Sequence, residues 1–551
     1  MEDNKNYKDR MSDYIRNCSF SSDDKKKILK TDENSLKSMF SPLEFSYHII
    51  KRDEDGTDRI NLYTVKKIAF AVIRYLCENC EDNLTCVISH DDRKNSLQYE
   101  KEMIEILTNH GIKVYSFTTC QPYFIMSYGI KYFSASFGIA ITADDLDDSY
   151  NGIQFFNRFG SPLSNDEEIQ LRCSFLSLRE ELLFNNVYHP SLKNENIIIS
   201  EDNEFFKAYK QTVENVSIYR DIFKGDKKVH LFLMSKNQRH LDLISDVLSS
   251  SNYDITYVLD DEKINIEKLL LKKQREKKYS LFISLDRACQ IKKVFYNNDN
   301  GYATLLESEK LSCLVTDHVI TSKRKRNLLP PNTVAILSVD SSLQNIEIIE
   351  NNYIENIFCS SLKNYVYKKE NDVKEGGKNI VLSNVPSYNF HISFYSGTND
   401  TIASILTILD TVEYFLRSGR TIDAAIKQID EETFSSLYTV KEYTSITDGE
   451  KILDKLRNNL LINIGDDNTL CFYDFKEGEI KDFKNQVSMP FVDTTLIGEN
   501  ALKFELKNGF VFLTLNKIGN IELKINVVKG KYKRMEERTK KIISFFDNLI
   551  K

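Results

Sequence analysis

Residues 84–117 read LTCVISHDDRKNSLQYEKEMIEILTNHGIKVYSF. The apolar run at 84–89 predicts a short strand. Residues 96–109 predict a helix, closed by Gly111, and residues 113–117 predict the next strand. Strand, helix, strand in this order is the signature of a crossover, so a parallel sheet is expected. Upstream, residues 61–80 predict an amphipathic helix, with Val65, Ile68, Ala69, Val72, Ile73 and Leu76 at helical spacing. Downstream, 121–132 predicts a further helix and 136–142 a further strand.

The rhythm recurs along the chain. Strands are expected at 229–234, 255–259 and 279–284, with helices at 241–248 and 266–275 between them. A third unit runs through 333–363, followed by a long helix at 401–416. The tail differs: 470–475, 502–506, 510–515 and 522–528 read as antiparallel strands, and 535–549 as a helix. Residues 1–43 are polar and read as short helical pieces. The expected fold class is α/β, with three α/β domains of mixed or parallel sheets and a smaller C-terminal α+β domain. The expected divisions are 1–190, 191–302, 303–430 and 431–551.

Composition sets outer bounds. The 551 residues exceed what one core organises. They include 19 glycines and 8 prolines, below the usual shares of about 7% and about 5%. Chemistry built on several glycine-rich phosphate loops is therefore disfavoured. The net charge of −7 is no footprint for nucleic acid. The start is polar, without a signal peptide, and no apolar run reaches the roughly 20 residues that span a bilayer. With ten scattered cysteines, a cytoplasmic protein with reduced thiols is expected. Cys77 and Cys80 form a C-x-x-C without a second pair at zinc spacing, so they read as ordinary thiols. Lys323 to Arg326 is a basic run, read as a solvated loop.

Three segments carry a family resemblance. Residues 43–65, LEFSYHIIKRDEDGTDRINLYTV, resemble L-E-F-G-T-A-G-L-R-G followed by N-R-M-N-I-Y-T-V. Residues 88–96, ISHDDRKNS, resemble I-G-Y-D-T-R-x-N-S. Residues 137–154, FGIAITADDLDDSYNGIQ, resemble G-I-M-I-T-A-S-H-N-P-x-x-Y-N-G-x-K. These motifs belong to the alpha-D-phosphohexomutase superfamily, and the similarity is to its phosphoglucomutase/phosphopentomutase branch. The resemblance implies four domains and transfer of a phosphate between two oxygens of one sugar phosphate. A phosphoserine donates the group, supported by magnesium and by a loop that clamps the non-reacting phosphate. Such chemistry needs a nucleophile, a divalent ion against phosphoryl charge, and fixed cations and amides.

Against that pattern, each loop departs. Asp144 stands at the serine position, followed by Asp145, Leu146, Asp147 and Asp148, with Thr142, Ala143, Tyr150, Asn151 and Gly152 in register on either side. In the D-x-D-x-D-R metal loop only Asp286 is acidic, either as the first carboxylate or as the last before Arg287. The first loop's glycines become Ser46, Ile49 and Arg52, with Lys51 at the arginine position. The E-E-S sugar loop falls on Val385, Pro386 and Ser387. The phosphate loop falls on 515–524, LNKIGNIELK, where Lys517 and Gly519 remain for an anion. The resemblance thus assigns Asp144 as catalytic candidate, Asp286 as metal ligand, and Lys51, Arg93, Lys363 and Lys517 as substrate- or phosphate-binding candidates. Asp91, Arg93, Tyr150, Asn151 and Gly152 are retained and read chiefly as holding the fold. The expected function is a phosphoglucomutase/phosphopentomutase-like pseudoenzyme with a sugar-phosphate-binding, regulatory or scaffold role, its magnesium weakened or lost. The alternative is an active intramolecular phosphotransferase using Asp144. The partners expected are sugar phosphates, or a protein such as an active homologue, and neither nucleic acid nor membrane.

Overall fold

The computed structural model describes all residues except 1–5, 19–27, 29, 47, 80–83, 179–194, 220–226, 261–263, 361–362, 385–386, 393–394, 445–447, 460, 494–495, 517–518, 529–531 and 551. The opening stretch forms strand Thr85–His90, helix Ser96–Asn109 and strand Lys113–Phe117, and the two strands pair in parallel. Their sheet has six strands. From one edge they are His48–Arg52, Tyr150–Asn157, Phe137–Ile141, Thr85–His90, Lys113–Phe117 and Asn196–Ile199. The first two run antiparallel to their neighbours, so the sheet is mixed. Helices Leu62–Asn79 and Ser96–Asn109 bury their apolar faces on one side, with Val65, Ile68, Val72 and Met103 fully enclosed. Helix Tyr123–Tyr132 covers the other side.

The first two expected seams move. Strand Asn196–Ile199 completes the first sheet, beyond 190. Strand Ala303–Leu305 pairs with Ile291–Asn297 in the second sheet, beyond 302. Edge strands of three or four residues set no readable period, and their pairing is decided by distant parts of the chain. The second sheet is ordered Ala303–Leu305, Ile291–Asn297, Tyr279–Leu285, Val229–Ser235, Asp254–Leu259. The third is parallel: Glu355–Cys359, Thr333–Ser338, Asn379–Asn384. A single apolar core joins these three domains, from Val87 and Phe124 through Leu231 and Leu281 to Leu409 and Phe415. The basic run is no loop: it closes helix Ser308–Lys325, where cations suit the helix C-terminus. The Lys323 ammonium reaches the Val381 carbonyl, 3.4 Å away.

The tail forms an antiparallel sheet ordered Ser436–Tyr443, Ile521–Val528, Gly509–Leu515, Leu502–Leu506, Asp467–Asp474, Glu479–Asp482, Val487–Pro490. Helices Gly449–Asn458 and Tyr532–Ile550 cover one face. The other face meets the third domain at a seam where Val339 and Leu343 pack against Phe510 and Phe512, with buried polar pairs alongside. Lys524 pairs with the fully buried Asp340 at 2.7 Å, and Lys503 donates to the Val339 carbonyl at 2.6 Å. Ser360 donates to the buried Glu499. Glu309 lies beside this seam and accepts from the Ser342 amide at 3.3 Å. Burial, reinforced by Asp340, pushes its carboxyl up to about 7.

Candidate functional site

The loop joining Phe137–Ile141 to Tyr150–Asn157 carries the acidic run, and one arginine sets its shape. Arg93 donates through Nη2 to the carbonyls of Asp144 and Leu146, both at 2.8 Å. Through Nη1 it donates to Asp147, at 2.6 Å, and Tyr150, at 3.1 Å. Its Nε donates to Asp91 at 2.9 Å. A guanidinium has five N–H donors, so all are engaged inside the protein. Only 2% of the side chain is exposed. Asp91 also accepts from the Ser96 hydroxyl, at 2.6 Å, and Ser96 accepts from the Asn151 amide, at 3.1 Å. Gly152 completes the cluster. A Cβ there would lie 2.5 Å from the Thr142 oxygen and 2.7 Å from that of Ile49. The retained residues therefore form one internal brace. Arg93, a candidate phosphate ligand by sequence, has no donor left over for phosphate.

Asp144 adopts a left-handed backbone conformation, φ 52°, which Asp tolerates better than most side chains. Its carboxylate lies 3.6 Å from Nδ1 of His48, whose Nε2 sits 3.1 Å from the Thr142 carbonyl. The carboxylate is thus held inward, against the strand His48–Arg52. The cleft between the first two domains is lined instead by Asp145, Leu146, Asp147 and Asp148. From the second domain come Met234, Lys236, Asp260, Ile266, Phe282, Ser284, Leu285, Asp286, Arg287, Lys292, Lys293 and Phe295, enclosing about 610 Å³.

The metal loop is the hairpin between Tyr279–Leu285 and Ile291–Asn297, in which Leu285 pairs with Ile291. Its turn runs from Asp286 to Gln290, and Asp286 is its one carboxylate, whether it stands first in the D-x-D-x-D-R pattern or last before Arg287. Asp286 accepts from the Gln290 amide at 2.7 Å. Gln290 is buried and turned to the third domain, donating to Thr401 at 2.9 Å and accepting from Asn399 at 3.0 Å. Between them stands Arg287, whose guanidinium pairs with Asp148 and lies 3.7 Å from Asp92. Among the described residues no three His, Cys, Asp or Glu side chains converge as a metal cluster. Magnesium prefers several hard oxygens in octahedral array. One carboxylate already engaged by a backbone amide, next to a fixed cation, does not fit it.

Lys51 lies on strand His48–Arg52 and does not line the cleft; its ammonium pairs with Asp58 at 3.0 Å and Glu44 at 3.4 Å. Lys363 opens helix Lys363–Glu375, and its side chain lies outside the described part, as do Lys517, Val385 and Pro386. Of the cysteine pair, Cys77 is exposed and Cys80 lies outside the described residues. In the sugar-loop segment, Tyr388 donates to the Leu306 carbonyl at 2.7 Å, and Asn389 accepts from the Ile291 amide at 3.1 Å. In the phosphate-loop segment, the amides of Asn516 and Asn520 both donate to Glu442, at 2.5 and 3.1 Å. The protein's own carboxylate thus takes donors placed where an anion would be sought. Sequence reading missed Glu442, Asp92 and Lys292. Of the groups that meet across this cleft, Arg287 is readable from the sequence, next to Asp286 in the metal loop.

A family model for phosphoglucomutase/phosphomannomutase, alpha/beta/alpha domain I, matches residues 50–181. A phosphoglucomutase of Staphylococcus haemolyticus is 21% identical over 481 residues, covering 83% of this chain and 85% of its own length. One from Staphylococcus saprophyticus is 24% identical over 503 residues, with the same shares. A putative phosphomannomutase of Thermus thermophilus shares the fold, with a TM-score of 0.62 at 14% identity, over 93% of this chain and 99% of that one. Fold and loop positions together define a multi-domain phosphohexomutase scaffold. The matched domain and the relatives that span most of the chain support its assignment to the alpha-D-phosphohexomutase superfamily, as phosphoglucomutase/phosphomannomutase-like. No helix among the described residues is long and apolar enough to cross a membrane.

Proposed function

We propose that this protein keeps the phosphohexomutase scaffold without the mutase reaction and serves as a sugar-phosphate-binding, regulatory or scaffold protein. The observation that carries the reading is the inward turn of Asp144 onto His48, at the position of the nucleophilic serine. A nucleophile must present an oxygen to the phosphorus it attacks, and this carboxylate is not among the groups lining the cleft. The other loops support the same reading. The metal hairpin keeps one carboxylate, Asp286, beside the cation Arg287, and Glu442 takes the side-chain amides of Asn516 and Asn520 in the phosphate-loop segment. Loss at several loops removes the charge stabilisation that phosphoryl transfer depends on.

Purified protein is expected to leave glucose 1-phosphate, glucose 6-phosphate and the ribose phosphates unconverted, with magnesium and a bisphosphate primer present. Turnover that vanishes in Asp144→Ala would establish the alternative, an active phosphotransferase with an aspartyl acceptor. Thermal-shift titration with millimolar sugar phosphate separates the remaining roles. A shift supports ligand binding; its absence points to a protein partner, such as an active homologue.

A further inference from the structure

Charge at the junction of the first two domains is opposite on its two sides. The loop of the first domain presents Asp145 and Asp148, with Asp92 close by. The hairpin of the second domain presents Arg287 and Lys292. Arg287 pairs with Asp148 through Nη1 and approaches Asp92 through Nε at 3.7 Å, while the Lys292 ammonium lies 3.5 Å from Asp145. Both acids of the loop sit on a backbone that Arg93 fixes to the first domain. The hairpin is equally fixed, because Gln290 and Ile291 bond to the third domain. Each set of charges is therefore mounted on a rigid element, which limits the entropy that usually cancels an exposed ion pair.

We propose that Arg287 and Lys292 form an electrostatic clasp that holds the acidic loop of the first domain against the hairpin of the second, closing the mouth of the cleft without a metal ion. Fixed cations stand on the metal hairpin, Arg287 next to Asp286 and Lys292 just beyond the turn, and the acids they meet stand on the facing loop. A divalent ion would have to displace the guanidinium from Asp148 and would then meet Lys292 as a like charge. The clasp goes beyond the loss of mutase chemistry and would hold whether or not Asp144 accepts phosphate.

The chain contains no tryptophan, so Leu146→Trp places a single indole in the cleft lining, and its quenching by acrylamide reads how open the cleft is. In that background, Arg287→Ala with Lys292→Ala is expected to shift the opening equilibrium about five- to tenfold, the scale of two exposed ion pairs on rigid mounts. Asp145→Asn with Asp148→Asn is expected to do the same. All four changes together should open the cleft no further than either pair, because partners in one interaction are not additive. High salt should open the intact clasp, and millimolar magnesium or a chelator should leave it unchanged. Unchanged quenching in the cation variant, additive effects of the two pairs, or closure by magnesium would overturn the proposal. Mutase activity is measured on the same samples, so failure of the clasp and failure of the functional reading are separate results.

Discussion

Arg93→Ala is expected to cost about 3–5 kcal/mol of stability in the first domain, the usual consequence of removing one partner from a buried, hydrogen-bonded charge. Four loop carbonyls and the carboxylate of Asp91 lose their donor at once. Asp91 would be left nearly enclosed, its side chain 9% exposed. Arg93→Lys should recover little, since an ammonium on a flexible stem lacks the planar fork that reaches both sides of the loop. Urea denaturation of the two variants, with hydrogen exchange followed over 143–150, measures this. A loss below about 1 kcal/mol, the range of an ordinary surface substitution, would show that the brace is redundant.

The second large effect is a pH dependence at the seam of the third and fourth domains. Burial raises the Glu309 carboxyl from 4.5 to about 7, so the folded state holds its proton where the unfolded chain has released it. The native state thus binds more protons, and stability falls as pH rises. The contribution is fully present below 4.5, declines through the interval, and is gone above about 7. A gap of this size corresponds to roughly 3 kcal/mol. Lys524 and the Ser342 amide oppose the rise and Asp340 adds to it, so the carboxyl answers to the whole seam. Glu309→Gln keeps the shape and cannot ionise. Denaturation of wild type and Glu309→Gln from pH 4.5 to 8.5 should therefore diverge, the variant gaining on wild type by roughly 3 kcal/mol towards the alkaline end. Parallel curves would contradict the assignment.

Much of the fold was legible because its signals are local. The alternation over 84–117 and its repeat at 229–284 place strands and helices to within a few residues of those observed, while over 333–363 only the rhythm itself is readable. The short edge strands at 196–199 and 303–305 were not, because three or four residues set no period and their pairing is decided by distant chain. The site divides in the same way. The family resemblance is what puts Asp144 at the nucleophile position and Asp286 in the metal hairpin. It does not show that Asp144 turns to His48, ninety-odd residues upstream, or that Glu442, on a neighbouring strand, takes the side-chain amides of Asn516 and Asn520. Arg93 shows the converse. It survives in a motif that suggests a ligand, while its donors are directed at carbonyls more than fifty residues away. Side-chain identity was readable; the direction in which each side chain is satisfied belongs to the tertiary structure.

The same contrast bears on the scarcity of glycine. Glycine remains where backbone meets backbone, as at Gly152 between Thr142 and Ile49. Ser46, Ile49 and Arg52 replace it where the superfamily pattern brings backbone to phosphate.

Mutase chemistry requires the chain itself to carry the phosphoryl group between its two transfers. The most direct measurement is intact-protein mass spectrometry after incubation with glucose 1,6-bisphosphate and magnesium, followed by peptide mapping. The account predicts an unmodified chain. A single phosphoryl group on the peptide containing residue 144, absent from Asp144→Ala, would contradict it.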